Sequence, residues 1–132
     1  MPIRFHPRPG RFLTCDYRGY EAPEMIKRRP VVVISPRKRQ GPGLCTVVPL
    51  STTPPNPQTA CHVKIEIDPL GGRWTATEMW AKCDMITVAS FSRLDMIRTG
   101  KALDGKRIYN NNELEADLLK KIREACAFSF GL

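Results

Sequence analysis

The residues of this chain best equipped to handle a phosphodiester lie at the ends of two apolar runs. Lys27-Arg28-Arg29 leads into Pro30-Val31-Val32-Val33-Ile34, and Arg37-Lys38-Arg39 follows that run. A second run, Cys45 to Leu50, ends in Ser51-Thr52-Thr53. Fixed cations and hydroxyl donors at strand ends suit a phosphate-bearing ligand. Farther along, Trp80, Lys82 and Asp84 alternate with apolar residues, and period-two spacing puts all three on one strand surface.

These side chains match the needs of one reaction, cleavage of an RNA strand by its own 2′-hydroxyl. A base must take the 2′ proton, cations or donors must stabilise charge on the phosphoryl oxygens, and an acid must protonate the leaving 5′ oxygen. No metal is required. Asp84 is the candidate base, Arg29 and Lys82 the charge stabilisers, and Ser51 and Thr52 the hydroxyl donors. Trp80 is the candidate stacking platform, worth about 1–3 kcal/mol per base. Each has a plainer reading. Arg29 belongs to a charge cluster that solvation alone explains. Lys82 and Asp84 make an ordinary surface pair worth roughly 0–1 kcal/mol. Ser51 to Thr53 satisfy their own turn, and Trp80 packs beneath a helix. Taken singly, no residue identifies an enzyme.

The elements that must position these residues follow from pattern. Residues 1–10 read as an irregular leader. Strands are expected over Arg11–Tyr17, Pro30–Ser35, Leu44–Leu50, His62–Ile67 and Thr77–Thr87, from β-branched content and alternation. Pro49 predicts that the third of these lies at an edge or bends near its end. Ser90–Ile97 has room for a single helical turn. Asn110–Asn112 offer caps for a helix over residues 113–128, whose stripe is Leu114, Leu118, Ile122 and Cys126. Phe128 to Leu132 read as apolar packing after it. The sum is a mainly β fold, a small barrel or sandwich closed by a C-terminal helix.

Length and composition bound the function. At 132 residues the chain is expected to be a single domain spanning 1–132. Lys and Arg number 21 against 13 Asp and Glu, a net charge of +8, which favours nucleic acid and then anionic membrane as partner. Five widely spaced cysteines without a C-x-x-C pair argue against a disulfide framework or zinc site and for reduced thiols in a cytoplasm. His6 and His62 alone make a histidine-based metal centre or a Ser-His-Asp triad a poor fit, and Cys61-His62 lacks the partners a metal needs. Met1 to Gly10 has no apolar signal region. The aliphatic run Val31–Ile34 is far too short to span a bilayer.

The order of the pieces resembles the PemK/MazF family of bacterial toxins. The matching segments are Gly19-Tyr20-Glu21, Arg29-Pro30-Val31-Val32-Val33-Ile34, Val47-Val48-Pro49-Leu50-Ser51-Thr52 and Lys82-Cys83-Asp84, within a likeness running from about Arg8 to the C-terminus. The resemblance implies an SH3-like barrel, a cytoplasmic homodimer, and a cofactor-free endoribonuclease that cuts single-stranded RNA at short sequences. It also implies an antitoxin whose acidic tail covers the RNA site. Family roles fall on Arg29 as phosphate stabiliser and proton donor, Ser51 as the hydroxyl near the scissile phosphate, Thr52 as a neighbouring donor, and Asp84 as base. Lys82, Trp80, Glu21 and Lys38 are the further candidate RNA contacts. Lys82 stands where some members carry arginine, which removes a two-pronged grip on phosphate. The loop from Tyr20 to Lys27 is longer than usual and separates Glu21 from Arg29, which leaves open whether Glu21 or Glu24 reaches the site. Two alternatives stay open: a non-catalytic toxin on the same barrel that binds a protein such as DNA gyrase, and an RNA-binding module without turnover.

Overall fold

The computed structural model describes residues 1–132. Nine strands form: β1 (Phe12–Cys15), β2 (Arg29–Val33), β3 (Leu44–Ser51), β4 (His62–Glu66), β5 (Glu78–Lys82), β6 (Thr87–Ser90), β7 (Leu94–Met96), β8 (Arg98–Lys101) and β9 (Arg107–Tyr109). One helix, α1 (Ala116–Ser129), closes the chain. The main sheet is antiparallel and runs β4-β5-β3-β2-β1-β7 as an open path, with β6 also on β3, while β8 and β9 make a separate hairpin. The architecture is mainly β with a C-terminal helix, as the sequence predicts, although the strand path does not return on itself as a closed barrel.

β3 organises the sheet. One of its edges pairs with β2. The other pairs first with β6, through Leu44–Val47, and then with β5, through Leu50 and Ser51. Pro49 is therefore central and not at an edge. It falls in the gap between the two pairings, where a missing N–H breaks no ladder on that side. The same sharing of an edge explains why the expected strand over Thr77–Thr87 is two strands. The two registers against β3 differ by three residues, and the turn at Cys83–Met85, closed by a Met85 N–H to Lys82 C=O bond of 3.0 Å, absorbs them.

Apolar residues fill both faces of β1, β2 and β3. Val32, Val48 and Leu50 pack with Met79, Ala81, Ile122 and Cys126 in a core between sheet and helix. Leu13, Cys15, Val31, Val33 and Val47 form a second core on the other face with Leu94. Burial on two sides is why these strands read as unbroken aliphatic runs.

Two other expectations are corrected, at Asn110–Asn112 and after α1, while residues 1–10 hold no strand or helix of their own. The leader is tied down: Ile3 is buried in the second core, its N–H donates to Leu94 C=O at 2.9 Å, and Pro2 bridges Asp95. Asn110 to Asn112 do not cap α1, which starts at Ala116 with no side-chain cap bond. Asn110 is instead buried, donating to Leu70 C=O at 2.9 Å and accepting from Asn112 N–H at 2.9 Å. Phe128, Phe130 and Leu132 are exposed and do not pack after the helix. The expected turn after Ser90 is present over Phe91–Arg93, but β7 follows it at once.

Candidate functional site

Sheet register brings the strand-end residues into one row. Lys64 on β4 pairs with Trp80 on β5, and Trp80 pairs with Ser51 at the end of β3. β2 and β3 pair Val31 with Pro49, and the same register carried two residues on sets Arg29 across from Ser51. Arg29 in turn pairs with Cys15 on β1. Residues in such a row face one side of the sheet. Lys64, Trp80, Ser51 and Arg29 thus form a strip of cation, aromatic ring, hydroxyl and cation, with the Lys64 ammonium paired to Glu78 Oε1 at 3.5 Å.

Local bonding sorts the cationic cluster ahead of β2. Arg28 is structural: it donates to Asp95 at 2.8 Å and to Thr14 Oγ1 at 3.1 Å. Arg29 makes no such bond, and its Nε is buried without a hydrogen-bond partner. A guanidinium held in this way keeps its binding capacity for an incoming anion. Ser51 is 4% exposed. Its Oγ accepts from Thr53 N–H at 3.1 Å, so its own proton stays free to donate elsewhere. Beside Arg29, burial pushes the Cys15 thiol up to about 11, so no thiolate competes with phosphate there.

Asp84 does not share the strand surface with Trp80 and Lys82, because β5 ends at Lys82 and Asp84 lies in the turn. Its carboxylate is half exposed and stands 3.8 Å from His62 Nε2. His62 is a residue the sequence set aside. Thr59 N–H donates to its Nδ1 at 3.0 Å, which leaves the proton of the neutral ring on Nε2, facing Asp84. His62 also pairs with Lys82 across β4 and β5. The ring therefore faces Asp84 with a donor, at a separation longer than a hydrogen bond. The clue available in sequence was only the alternation of β4, which puts His62 and Lys64 on the Trp80–Lys82 side.

The remaining candidates are dispersed. Thr52 is exposed and lines a small depression with Arg73 and Trp74, where the Arg73 guanidinium lies 4.5 Å from the Trp74 ring. This stacked pair next to Thr52 was not singled out in the sequence, although Arg-Trp after Gly71-Gly72 marks a turn-borne aromatic. Lys38 is exposed in the turn beyond β2, at the end of that strand opposite Arg29, with φ 65°. Glu21 is exposed, and its N–H donates to Glu24 Oε1 at 3.2 Å. Glu24, not Glu21, shares a cleft with Asp84, and that cleft is bounded by neither Arg29 nor Ser51. The geometry unites Arg29, Ser51, Trp80 and Lys64, and joins Asp84 to Glu24 and His62.

Comparison with known proteins gives a consistent picture. The profile described as PemK-like, MazF-like toxin of type II toxin–antitoxin system matches residues 8–128. The uncharacterized protein YifN of Escherichia coli (strain K12) is 31% identical over 145 residues, spanning 95% of this chain and 92% of YifN. Among solved structures, an endoribonuclease in complex with its cognate antitoxin from Mycobacterial species superposes with TM-score 0.63 at 22% identity, covering 96% of this chain and 97% of its own. MazF from Deinococcus radiodurans superposes with TM-score 0.65 at 17% identity, covering 98% of this chain and 100% of its own. The Mycobacterium tuberculosis toxin MazF-mt6 gives 0.56 at 21%, covering 95% and 98%.

Proposed function

The chain belongs to the PemK-like, MazF-like toxins of type II toxin–antitoxin systems, and from that premise we propose that it is a metal-independent endoribonuclease. Its substrate is single-stranded RNA, cut at short sequences by attack of the 2′-hydroxyl on the adjacent phosphate. The observation that carries this reading is Arg29, partly buried and unpaired, set across from Ser51 in the row that also holds Trp80 and Lys64. A phosphodiester lying there meets a guanidinium for its equatorial oxygens and the free Ser51 proton for a second hydrogen bond. Trp80 offers a face for a flanking base. Asp84, in the turn beyond β5 and beside His62, takes the 2′ proton, and Lys82 and Thr52 add charge and a donor at the margins. Arg29 acts by electrostatics, since a delocalised guanidinium holds its proton and is a poor proton donor.

The partner is an antitoxin with an acidic segment that competes with RNA for the same cations. The mycobacterial endoribonuclease bound to its antitoxin supports that expectation by fold. The protein is further expected to act in the cytoplasm as a homodimer, which sedimentation measures directly.

The test is incubation of purified protein with single-stranded RNA in excess chelator. Cleavage leaving a 2′,3′-cyclic phosphate is the expected result. Equal cutting of a substrate with a 2′-deoxy sugar at the cut position overturns the mechanism. The exposed tail Phe128, Phe130 and Leu132 favours one second reading, a toxin that docks on a protein such as gyrase through its C-terminus. Removing Gly131-Leu132 separates the two: the nuclease keeps cutting, whereas the docking toxin loses its effect.

A further inference from the structure

The β8–β9 hairpin forms a sheet of its own, and residues 98–109 hold four cations, Arg98, Lys101, Lys106 and Arg107, against one acid, Asp104. Pairing sets Arg98 across from Tyr109 and Lys101 across from Arg107, with a bulge between Arg98 and Gly100. On β9, Arg107 and Tyr109 are two residues apart and so share a face. The bulge brings Arg98, three residues before Lys101, onto that same face. Three cations and a tyrosine therefore crowd one side of a two-stranded ribbon. Arg98, Lys101 and Arg107 are exposed and Tyr109 is half-buried. None of the three cations has an ion-pair partner. Asp104 instead accepts from the Lys106 N–H in the turn, at 3.0 Å. Like charges directly opposite each other weaken a strand pair, and a lone hairpin is marginal in water to begin with. A polyanion laid along this face removes the repulsion.

The base of the hairpin is fixed beside the turn that follows β4. Gly71 in that turn comes so close that a Cβ there would lie 2.8 Å from the Arg98 carbonyl oxygen and 2.9 Å from Thr99 Cγ2. Asn110 fastens both sides, its N–H donating to Ile97 C=O at 2.7 Å and its side chain to Leu70 C=O at 2.9 Å. The turn closes with the Trp74 N–H donating to Gly71 C=O at 3.0 Å, and Trp74 and Arg73 line the depression that holds Thr52. A strand that passes Ser51 and Thr52 thus meets the stacked Arg73–Trp74 pair and then, one turn on, the hairpin. We propose that the face bearing Arg98, Lys101, Arg107 and Tyr109 is a second RNA-binding surface, which grips substrate phosphates away from the cut and stacks a base on Tyr109. The proposal rests on the RNA-directed reading above and adds a contact outside its strip. Cations set around an aromatic ring suit single-stranded nucleic acid, whose phosphates meet the charge and whose bases meet the π-face. The exposed Leu103 at the tip makes an anionic lipid surface the competing occupant.

The test is binding of parent and variants to a 2′-O-methyl oligonucleotide, which 2′-hydroxyl attack cannot cut, long enough to reach across the molecule. Lys101→Gln combined with Arg107→Gln is expected to weaken binding roughly 10-fold at low salt and to flatten the slope of log affinity against log salt by about 1.4, about 0.7 for each cation. The same substitutions remove a like-charge repulsion, so the melting point is expected to equal or exceed that of the parent. Tyr109→Leu is expected to weaken binding about 5-fold or more at an unchanged slope, while Tyr109→Phe binds as the parent does. Affinity and slope equal to the parent's in the double variant overturn the proposal. So does a double variant that keeps its RNA affinity but loses binding to vesicles of phosphatidylserine and phosphatidylcholine, which makes the hairpin a membrane contact. Cutting of unmodified RNA in chelator judges the ribonuclease reading separately. A parent that cuts nothing, yet loses RNA affinity in the double variant, ends that reading and sustains the hairpin surface.

Discussion

Arg28 and Arg29 are neighbours in one cationic run, yet the structure gives them different work. Arg28 is bonded to Asp95 and Thr14, so Arg28→Ala is expected to lower stability by about 1 kcal/mol and leave the cleavage chemistry in place. Arg29→Ala removes no hydrogen bond, so its melting point should stay within a degree or two while RNA cleavage falls about 100-fold or more. Melting curves and a single-turnover assay on both variants check the contrast, and a fully active Arg29→Ala ends the assignment. The sequence marked the cluster but held nothing to divide it, because Asp95 lies far downstream. His62 was overlooked for the same reason: its significance comes from Thr59 and Asp84, not from spacing. The buried thiols make a separate prediction. Burial raises Cys15 to about 11 and Cys45 to about 12. Unfolded thiols release their protons near about 8.5, so above that pH the unfolded chain holds fewer protons than the folded one. Stability is expected to be intact below that value and to fall as pH rises toward 12, as denaturant melts at pH 7, 9 and 10.5 would show.

At the scale of elements, β2 and β3 were legible because burial on both faces forces unbroken aliphatic runs, and the stripe of α1 was legible because one face meets the sheet. Asp84 was misplaced because alternation continues through Thr77–Thr87 while the chain changes register on β3, an event that only the partner strand records. The cap expected at Asn110–Asn112 failed because tertiary burial claimed Asn110 first. Asn110→Ala is expected to cost about 1–3 kcal/mol, since the Leu70 carbonyl and the Asn112 N–H both lose their partner. Chemical denaturation measures it, and a neutral result shows that water replaces the amide. Ile122, fully buried where α1 meets the sheet, should cost about 2–5 kcal/mol when cut to alanine. Arg123 on the next position fastens α1 to Ile34 C=O through two hydrogen bonds of 3.0 and 2.7 Å. The helix is thus pinned to the strand that carries Arg29.

For the whole molecule, the net charge of +8 predicts salt-sensitive RNA binding. Each neutralised phosphate on a single strand adds about −0.7 to the slope of log affinity against log salt, so Arg29→Ala should flatten that slope by about that amount. Filter binding from low to moderate salt reads it, and an unchanged slope places Arg29 off the backbone. The charge is not spread evenly. Glu66 and Glu78 pair across β4 and β5 directly beside the Lys64–Trp80 pair, and they share a cleft of about 700 Å³ with Asp68, Glu113 and Glu115. Glu78 is paired with Lys64 at 3.5 Å and Glu113 with Arg8 at 3.4 Å, so a polynucleotide resting on the strip from Lys64 to Arg29 meets Glu66, Asp68 and Glu115 as the acids without an ion-pair partner along that flank. On the ribonuclease reading, its onward path is steered away from those acids, so the two ends of a bound strand are expected to leave in unequal surroundings.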